Sequence, residues 1–278
     1  MYKTILVHVD ESARSAHRTA AGIALALDYE AHLVGAAMTG LQTELLPVSA
    51  YGVGLGMAAL PIDNLRTDAR QALAGFEAAA SRAGVLSLEQ RCIDDEAGIG
   101  ISMQARYSDL VIVSQSAPDE FRPRLRSDFP DYVVLNAPRP VLVLPVGGAG
   151  PALGKRVTVA WNGSPEAVHA IASALPLLQR AAAVDVVVLE PEARPGTHGE
   201  QAGADMALYL ARHGVPTEVS VRAGGHDDGQ ALLDFAREKQ ADLIVMGAYG
   251  HTRFRELLLG GMTRHLLAHS PIPLWMAH

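Results

Sequence analysis

The residue types and spacing best suited to chemistry lie near the end of the chain, in VMGAYGHTRFRELLLGGMTRHLL at 245–267. Gly247 and Gly250 follow Met246; nine residues, His251 to Leu259, separate them from Gly260, Gly261, Met262 and Thr263. Without a Cβ, the first two glycines permit positive φ and a close approach of the main chain to a ligand. The second pair and Thr263 stand where a helix should begin. They offer backbone N–H groups, a hydroxyl and the positive end of a helix, which together make a phosphate cradle. His251, Arg253 and Arg255 lie between the glycine pairs. A guanidinium there pairs bidentately with phosphate oxygens, and a solvated basic loop explains the same residues equally well.

Other clusters carry less. His226, Asp227 and Asp228 have metal-ligand types but no third ligand at a readable spacing, so Asp228 is expected to cap a helix instead. His265 and His269 are four apart, without the glutamate of an H-E-x-x-H site. No G-x-S-x-G nucleophile turn occurs, and Cys92 falls in a strand. No lysine follows the glycines as it does in a P-loop. A bound triphosphate should therefore be hydrolysed slowly if at all, and the chain is not read as an enzyme.

The elements that must position these groups come in two copies. Adding 133 to each number from Asp109 onward aligns Asp109-Leu110-Val111-Ile112-Val113 with Asp242-Leu243-Ile244-Val245-Met246, and Pro138 and Pro140 with Pro271 and Pro273. The starts agree as well, TILVHVD at 4–10 with RVTVAWN at 156–162. Two domains are thus expected, 1–146 and 155–278, joined by the glycine-rich run VGGAGPALGK. Strands are read near 3–9, 32–38, 88–93, 109–114 and 141–145, then 156–161, 184–190, 217–222, 242–247 and 272–276. Helical segments separate them, with stripes such as Ala20, Ile23, Ala24 and Leu27. The pattern predicts two tandem doubly wound five-stranded parallel-sheet α/β domains, Rossmann-like, with ligands beyond the carboxyl ends of the strands.

Strand, glycine loop and terminal Pro-x-Pro strand, in this order and twice over, resemble the universal stress protein family. Its ATP-binding members carry G-x-x-G, nine residues, then G-[ST]. Here Gly247, Gly250 and Gly260 keep the spacing, and Gly261 replaces the usual hydroxyl residue. The resemblance implies a fold of the adenine nucleotide alpha hydrolase type. It also implies a nucleotide site in the second half at Asn162, Gly163, Ser164, Leu189, Met246, Gly247, Gly250, His251, Arg253, Gly260, Gly261, Met262 and Thr263. The nucleotide would be ATP, with ADP or AMP as alternatives and Mg as companion ion. In the family an acidic residue ends the first strand near the adenine and ribose. The first copy has Asp10 there and the second Asn162, an amide that hydrogen-bonds without charge. Ser164 also suits the N-cap of the helix that follows. In the first copy the loop positions become Ser114, Ala117, Ser127 and Pro130, and proline has no N–H to donate. No nucleotide is expected in that half. Single domains of the family pair through their last strands, so the two halves should form an intrachain pseudo-dimer, with a homodimer open.

Composition sets the outer bounds. The chain has 278 residues, 49% hydrophobic and 19% charged, with net charge −7, so it offers no basic face for nucleic acid. One cysteine suits a reducing compartment. No signal peptide is read at the start, which suggests the cytoplasm. The uncharged stretch 45–62 contains Pro47, Gly52, Gly54, Gly56 and Pro61, and reads as a surface excursion rather than a membrane span. Three functions compete: a nucleotide-binding stress-response sensor, a structural or interaction protein using 41–62 to meet a protein partner, and a weak nucleotide hydrolase.

Overall fold

The computed structural model describes residues 1–40, 62–116, 128–150, 153–190, 203–223, 227–250 and 261–278. The apolar stretch at 41–61 is outside the described residues. Runs of β-branched and aliphatic residues form ten strands: β1 (Thr4–His8), β2 (His32–Met38), β3 (Leu88–Ile93), β4 (Leu110–Ser114), β5 (Val141–Leu144), β6 (Arg156–Ala160), β7 (Ala183–Glu190), β8 (Thr217–Ala223), β9 (Leu243–Gly247) and β10 (Leu274–Ala277). Every expected strand is present. The described helices are α1 (Ala13–Tyr29), α2 (Ile62–Arg82), α3 (Ala97–Gln104), α4 (Phe129–Asn136), α5 (Pro165–Leu178), α6 (Ala204–Arg212), α7 (Asp228–Glu238) and α8 (Met262–His269). None of them is long and apolar enough to cross a membrane.

The strands join into one sheet in the order β3-β2-β1-β4-β5-β10-β9-β6-β7-β8. Within each half all pairings are parallel, as near-continuous apolar strands with helical crossovers require. Among the described strands the single antiparallel seam is the pairing of the two last ones, with Leu274, Trp275 and Met276 opposite Val143, Leu142 and Val141. Two cores flank the sheet. Ile5, Val157 and Trp275 pack with Leu25, Phe76, Leu177 and Leu210 from α1, α2, α5 and α6. On the other face Leu6 and Ile244 pack with Ile101, Val133, Leu232 and Leu266 from α3, α4, α7 and α8.

Polar contacts tie the halves together on both faces. Tyr2 donates its hydroxyl to the Ser173 carbonyl (2.9 Å) and stacks at 5.4 Å from Trp275. Burial raises the Tyr2 phenol far above its ordinary pKa, which keeps it a donor. Tyr29 donates to the Pro176 carbonyl (3.2 Å). On the opposite face Gln115, just past β4, donates to the carbonyls of Ser270 (2.9 Å) and Leu266 (3.3 Å) at the end of α8. The Ser270 carbonyl is one that the helix end leaves open, and the Leu266 carbonyl also accepts the Ser270 N–H (2.9 Å).

The repeat also explains Asp109 and Asp242. Asp109 accepts the N–H groups of Lys3 (2.7 Å) and Thr4 (3.0 Å), and Asp242 those of Gly154 (2.7 Å), Lys155 (3.0 Å) and Arg156 (3.1 Å). Each pins the start of the central strand beside it, β1 or β6.

The outermost strand of the first half, β3, carries its own ion pair. Glu89 accepts from Arg91 (2.7 Å) and contacts His32 (3.2 Å). The Arg91 hydrogen bond, aided by His32 and opposed by partial desolvation, holds the Glu89 carboxyl down at about 2, below its ordinary 4.5. Its folded pKa is depressed, so its contribution to stability is full above the unfolded value and is lost as pH falls from 4.5 towards 2. Melting curves between pH 5 and 2 should show the Arg91→Gln variant losing less stability across that window than the parent. Identical acid profiles would mean that the pair does not act on folding.

Candidate functional site

In each half the strand order reverses between the first and fourth strands, β1 with β4 and β6 with β9, and the crevice at such a switch point is where α/β sheets bind ligands. Both crevices open beside a capped helix. Asp10 Oδ1 accepts the Ser12 N–H (2.9 Å), and Ser12 caps α1 by accepting from the Ser15 N–H (3.2 Å). In the second half Asn162 Oδ1 accepts the Ser164 N–H (3.1 Å), and Ser164 caps α5 through the Ala167 N–H (3.2 Å). The Ser164 cap expected from the sequence is present. Gly163 between them takes φ +75°, where a Cβ would be strained.

What fills the two crevices differs. Arg18 on α1 is 2% exposed, and its guanidinium donates to the His8 carbonyl (2.6 Å), Ser114 Oγ (3.0 Å) and Asp10 Oδ1 (2.7 Å). One turn earlier Arg14, also buried, donates to the Gln115 carbonyl. A buried guanidinium is tolerable only when its fork of donors is matched by acceptors and a counter-charge, and Arg18 has both. The space between β1 and β4 is thereby occupied by the chain's own cations, while a cavity lined by Asp10, Glu11, Ser12, Asp68, Gln71 and Ala72 remains beside the cap of α1. Nothing in the glycine pattern disclosed this; the arginines sit at a helical i, i+4 spacing directly after Asp10, and that spacing was the available signal.

In the second half the capped helices align Ser12 with Ser164, so Arg14 and Arg18 correspond to Glu166 and Ala170. The guanidinium plug is missing and a carboxylate stands in its first position. Glu166 Oε2 is buried and has no hydrogen-bond partner among the described residues. A Cβ on Gly250 would lie 2.7 Å from this oxygen and 3.2 Å from Ser164 Oγ. Gly250, Ser164 and Glu166 therefore converge on one point at the start of α5.

Gly247 plays a different part from the one read in the sequence. Neither Gly247 nor Gly250 has positive φ. A Cβ on Gly247 would meet the Ala167 backbone nitrogen at 2.4 Å and the Glu166 carbonyl carbon at 2.6 Å. This glycine is required by the close packing of β9 against the first turn of α5, inside the protein. The left-handed residue of the loop is Tyr249, at φ +58°, an uncommon conformation for a non-glycine residue. Three contacts hold the loop there. Thr263, 2% exposed, accepts the Tyr249 N–H on Oγ1 (3.3 Å), the Tyr249 hydroxyl reaches Asp131 Oδ1 on α4 (2.7 Å), and His278 Nδ1 bonds the Ala248 carbonyl (3.0 Å).

Of the remaining sequence-derived residues, Met246 is buried and Leu189 half-buried in the core beneath α7 and α8. Gly261 is the N-cap of α8 and Met262 its first residue. His251, Arg253 and Gly260 lie outside the described residues, as do Ala117 and Ser127 of the first half. Pro130 occupies the first turn of α4. The cap of α7 is Asp227, which accepts from the Gln230 N–H (3.0 Å), and not Asp228 as the sequence suggested; Asp228 is already the first helical residue. His265 and His269 stack with ring centroids 4.9 Å apart. Among the described residues no three potential metal ligands gather.

Tandem doubly wound domains, fused through their last strands and glycine-rich after the fourth strand of the second copy, define the class. The chain belongs to the universal stress protein family, which matches residues 1–145 and 154–278. It is 33% identical over 64 residues to universal stress protein Slr1230 of Synechocystis sp.; that match spans 23% of this chain and 22% of the relative. In fold it is similar to a universal stress protein from Archaeoglobus fulgidus, at TM-score 0.74 and 17% identity, covering 99% of this chain and 97% of the other. It is also similar to a protein of unknown function from Pseudomonas aeruginosa, at TM-score 0.63 and 16% identity, covering 99% and 92%.

The packing role of Gly247 is open to a direct check. Gly247→Ala must push β9 and α5 apart, an overpacking cost of about 1–3 kcal/mol. Urea unfolding without any ligand should show it. A variant as stable as the parent would return Gly247 to the role of ligand contact alone.

Proposed function

We propose that this chain is a stress-response protein of the cytoplasm that binds one adenine nucleotide in the crevice of its second half and acts as a sensor or regulatory module. ATP is the leading ligand, with ADP or AMP as alternatives. The observation that supports this reading best is the contrast between the switch points. Between β1 and β4 the first is occupied by Arg18 and Arg14, whereas the second has Ala170 and Glu166 at the equivalent positions. A phosphate group does not settle against an unpaired carboxylate. Glu166 Oε2, buried without a partner, instead suits a hard divalent cation, and Mg²⁺ accompanying a triphosphate supplies one. Asn162 would recognise base or ribose by hydrogen bonding alone. The N-terminus of α8, with Gly261 and Met262, offers N–H groups to an anion. Binding rather than turnover is the function proposed. The sequence has neither a P-loop lysine nor a nucleophile turn, and slow hydrolysis would be incidental.

Calorimetric titration should find one Mg-ATP site per chain. Gly250→Val should abolish binding, because its side chain projects into the space before Glu166 and Ser164. Thr263→Ala removes the hydroxyl that accepts the Tyr249 N–H and, by loosening the loop, should weaken binding by up to about tenfold, the range for one ordinary hydrogen bond. Glu166→Gln should lessen the dependence on Mg²⁺. Two equivalent sites per chain, or unchanged affinity in a folded Gly250→Val variant, would defeat the proposal.

A further inference from the structure

The sheet ends in two outer strands, β3 and β8, and they are not equivalent. Among the described strands β8 pairs only with β7. The Val184 N–H bonds the Pro216 carbonyl, in the register Val184 to Thr217. In a parallel ladder this directs the backbone groups of Glu218, Ser220 and Arg222 towards β7 and those of Thr217, Val219, Val221 and Ala223 outward. The side chains alternate as well. Val219 and Val221 stand on the face of Val186 and Val188 and are 37% and 51% exposed. Glu218 and Arg222 stand on the opposite face, the Glu218 side chain 82% exposed and the Arg222 side chain 49%. The helix above the valines, α6, leaves Leu208 and Tyr209 exposed. Natural edges are blunted by lysine, proline or a bulge; β8 contains no lysine or proline, and its ladder with β7 runs unbroken from Thr217 to Ala223.

We propose that β8 is a dimerisation strand, pairing antiparallel with β8 of a second copy of this chain about a two-fold axis at Ser220. The sequence TEVSVRA is complementary to itself in that register. Val219 meets Val221 of the other copy, and because both direct their backbone groups outward, they exchange two hydrogen bonds, as do Thr217 and Ala223. Glu218 meets Arg222 in the pairs that exchange no hydrogen bonds, where side chains approach most closely. Each contact occurs twice, and the isologous interface closes at two copies. The other edge is differently made. At the positions of Val219 and Val221, β3 has Gln90 and Cys92, and it is the valines that set β8 apart, because the charges of both edges have contacts within their own half: Glu89 with Arg91 (2.7 Å) on β3, Arg222 with Glu238 (3.1 Å) and Glu218 with Lys239 (3.7 Å) on β8.

Sedimentation velocity of the full chain over a hundredfold concentration range should show a monomer–dimer equilibrium with no larger species. Glu218→Arg and Arg222→Glu each turn two attractive cross-strand pairs into repulsive ones and should weaken the dimer at least about tenfold. An equimolar mixture of the two variants should recover it, since every cross-strand pair of the mixed dimer again sets a guanidinium against a carboxylate. The double exchange within one chain should do the same. Val221→Pro removes an N–H that faces outward and leaves the β7 ladder intact; it should give a folded monomer. Melting curves check folding in every variant. A wild-type chain that stays monomeric, a dimer indifferent to the charge reversals, a mixture no tighter than its components, or growth beyond two copies would each overturn the assignment.

Discussion

The antiparallel pairing of β5 with β10 is the constraint on which the molecule depends. Three residue pairs turn two five-stranded sheets into one of ten strands and remove two of the four edges that separate halves would expose. Because the seam is antiparallel, the carboxyl ends of the strands in one half lie at the opposite end of the sheet from those in the other. The two switch-point crevices therefore face away from each other, and no single small ligand can bridge them. The seam also sets the helices against each other across the pseudo-two-fold, which is why Gln115 of the first half finds the last carbonyls of α8.

Duplication followed by divergence left its clearest mark on the first turns of α1 and α5. Both helices begin with the same device, a side-chain oxygen from Asp10 or Asn162 holding the serine that caps the helix. Beyond the cap the chemistry inverts. Arg14 and Arg18 bury positive charge against Asp10, Ser114 and backbone carbonyls, and Glu166 and Ala170 bury a lone carboxylate oxygen and a methyl group. Removing one partner of a buried ion pair is costly, about 3–5 kcal/mol, so the first half cannot open its crevice at little expense. Among its described residues the second half carries no such lock.

The fold was legible because its signals are local and repeated: ten apolar runs of strand length, the 133-residue offset and the paired Pro-x-Pro endings gave away the element order, and the family resemblance implied the pairing of the last strands. The site was legible only in part. Glycine at 247 was visible, but its cause was not, since the collision it avoids involves Ala167, about eighty residues away in sequence. The same holds for Thr263, whose hydroxyl looked like a ligand contact and is engaged by the Tyr249 N–H, and for Arg18, which reads as a solvated helix position until β4 is laid beside β1. Capping by Asp227 instead of Asp228 is the ordinary one-residue uncertainty of helix ends.

Tyr249 joins these themes. A left-handed backbone at a bulky residue costs on the order of 1–3 kcal/mol and persists only where surrounding contacts over-determine it. Here they come from three places: Thr263 in α8, His278 beyond β10 through the neighbouring Ala248 carbonyl, and Asp131 in α4 of the other half. The conformation of the loop that leads into the glycine-rich segment is thus set partly by the first domain, although arginines occupy that domain's own switch point. A ligand that drew on the Thr263 hydroxyl or shifted Gly250 would act on the same residue that holds Asp131. This gives the first half a physical reason to be retained: α4 is the surface against which Tyr249 is braced.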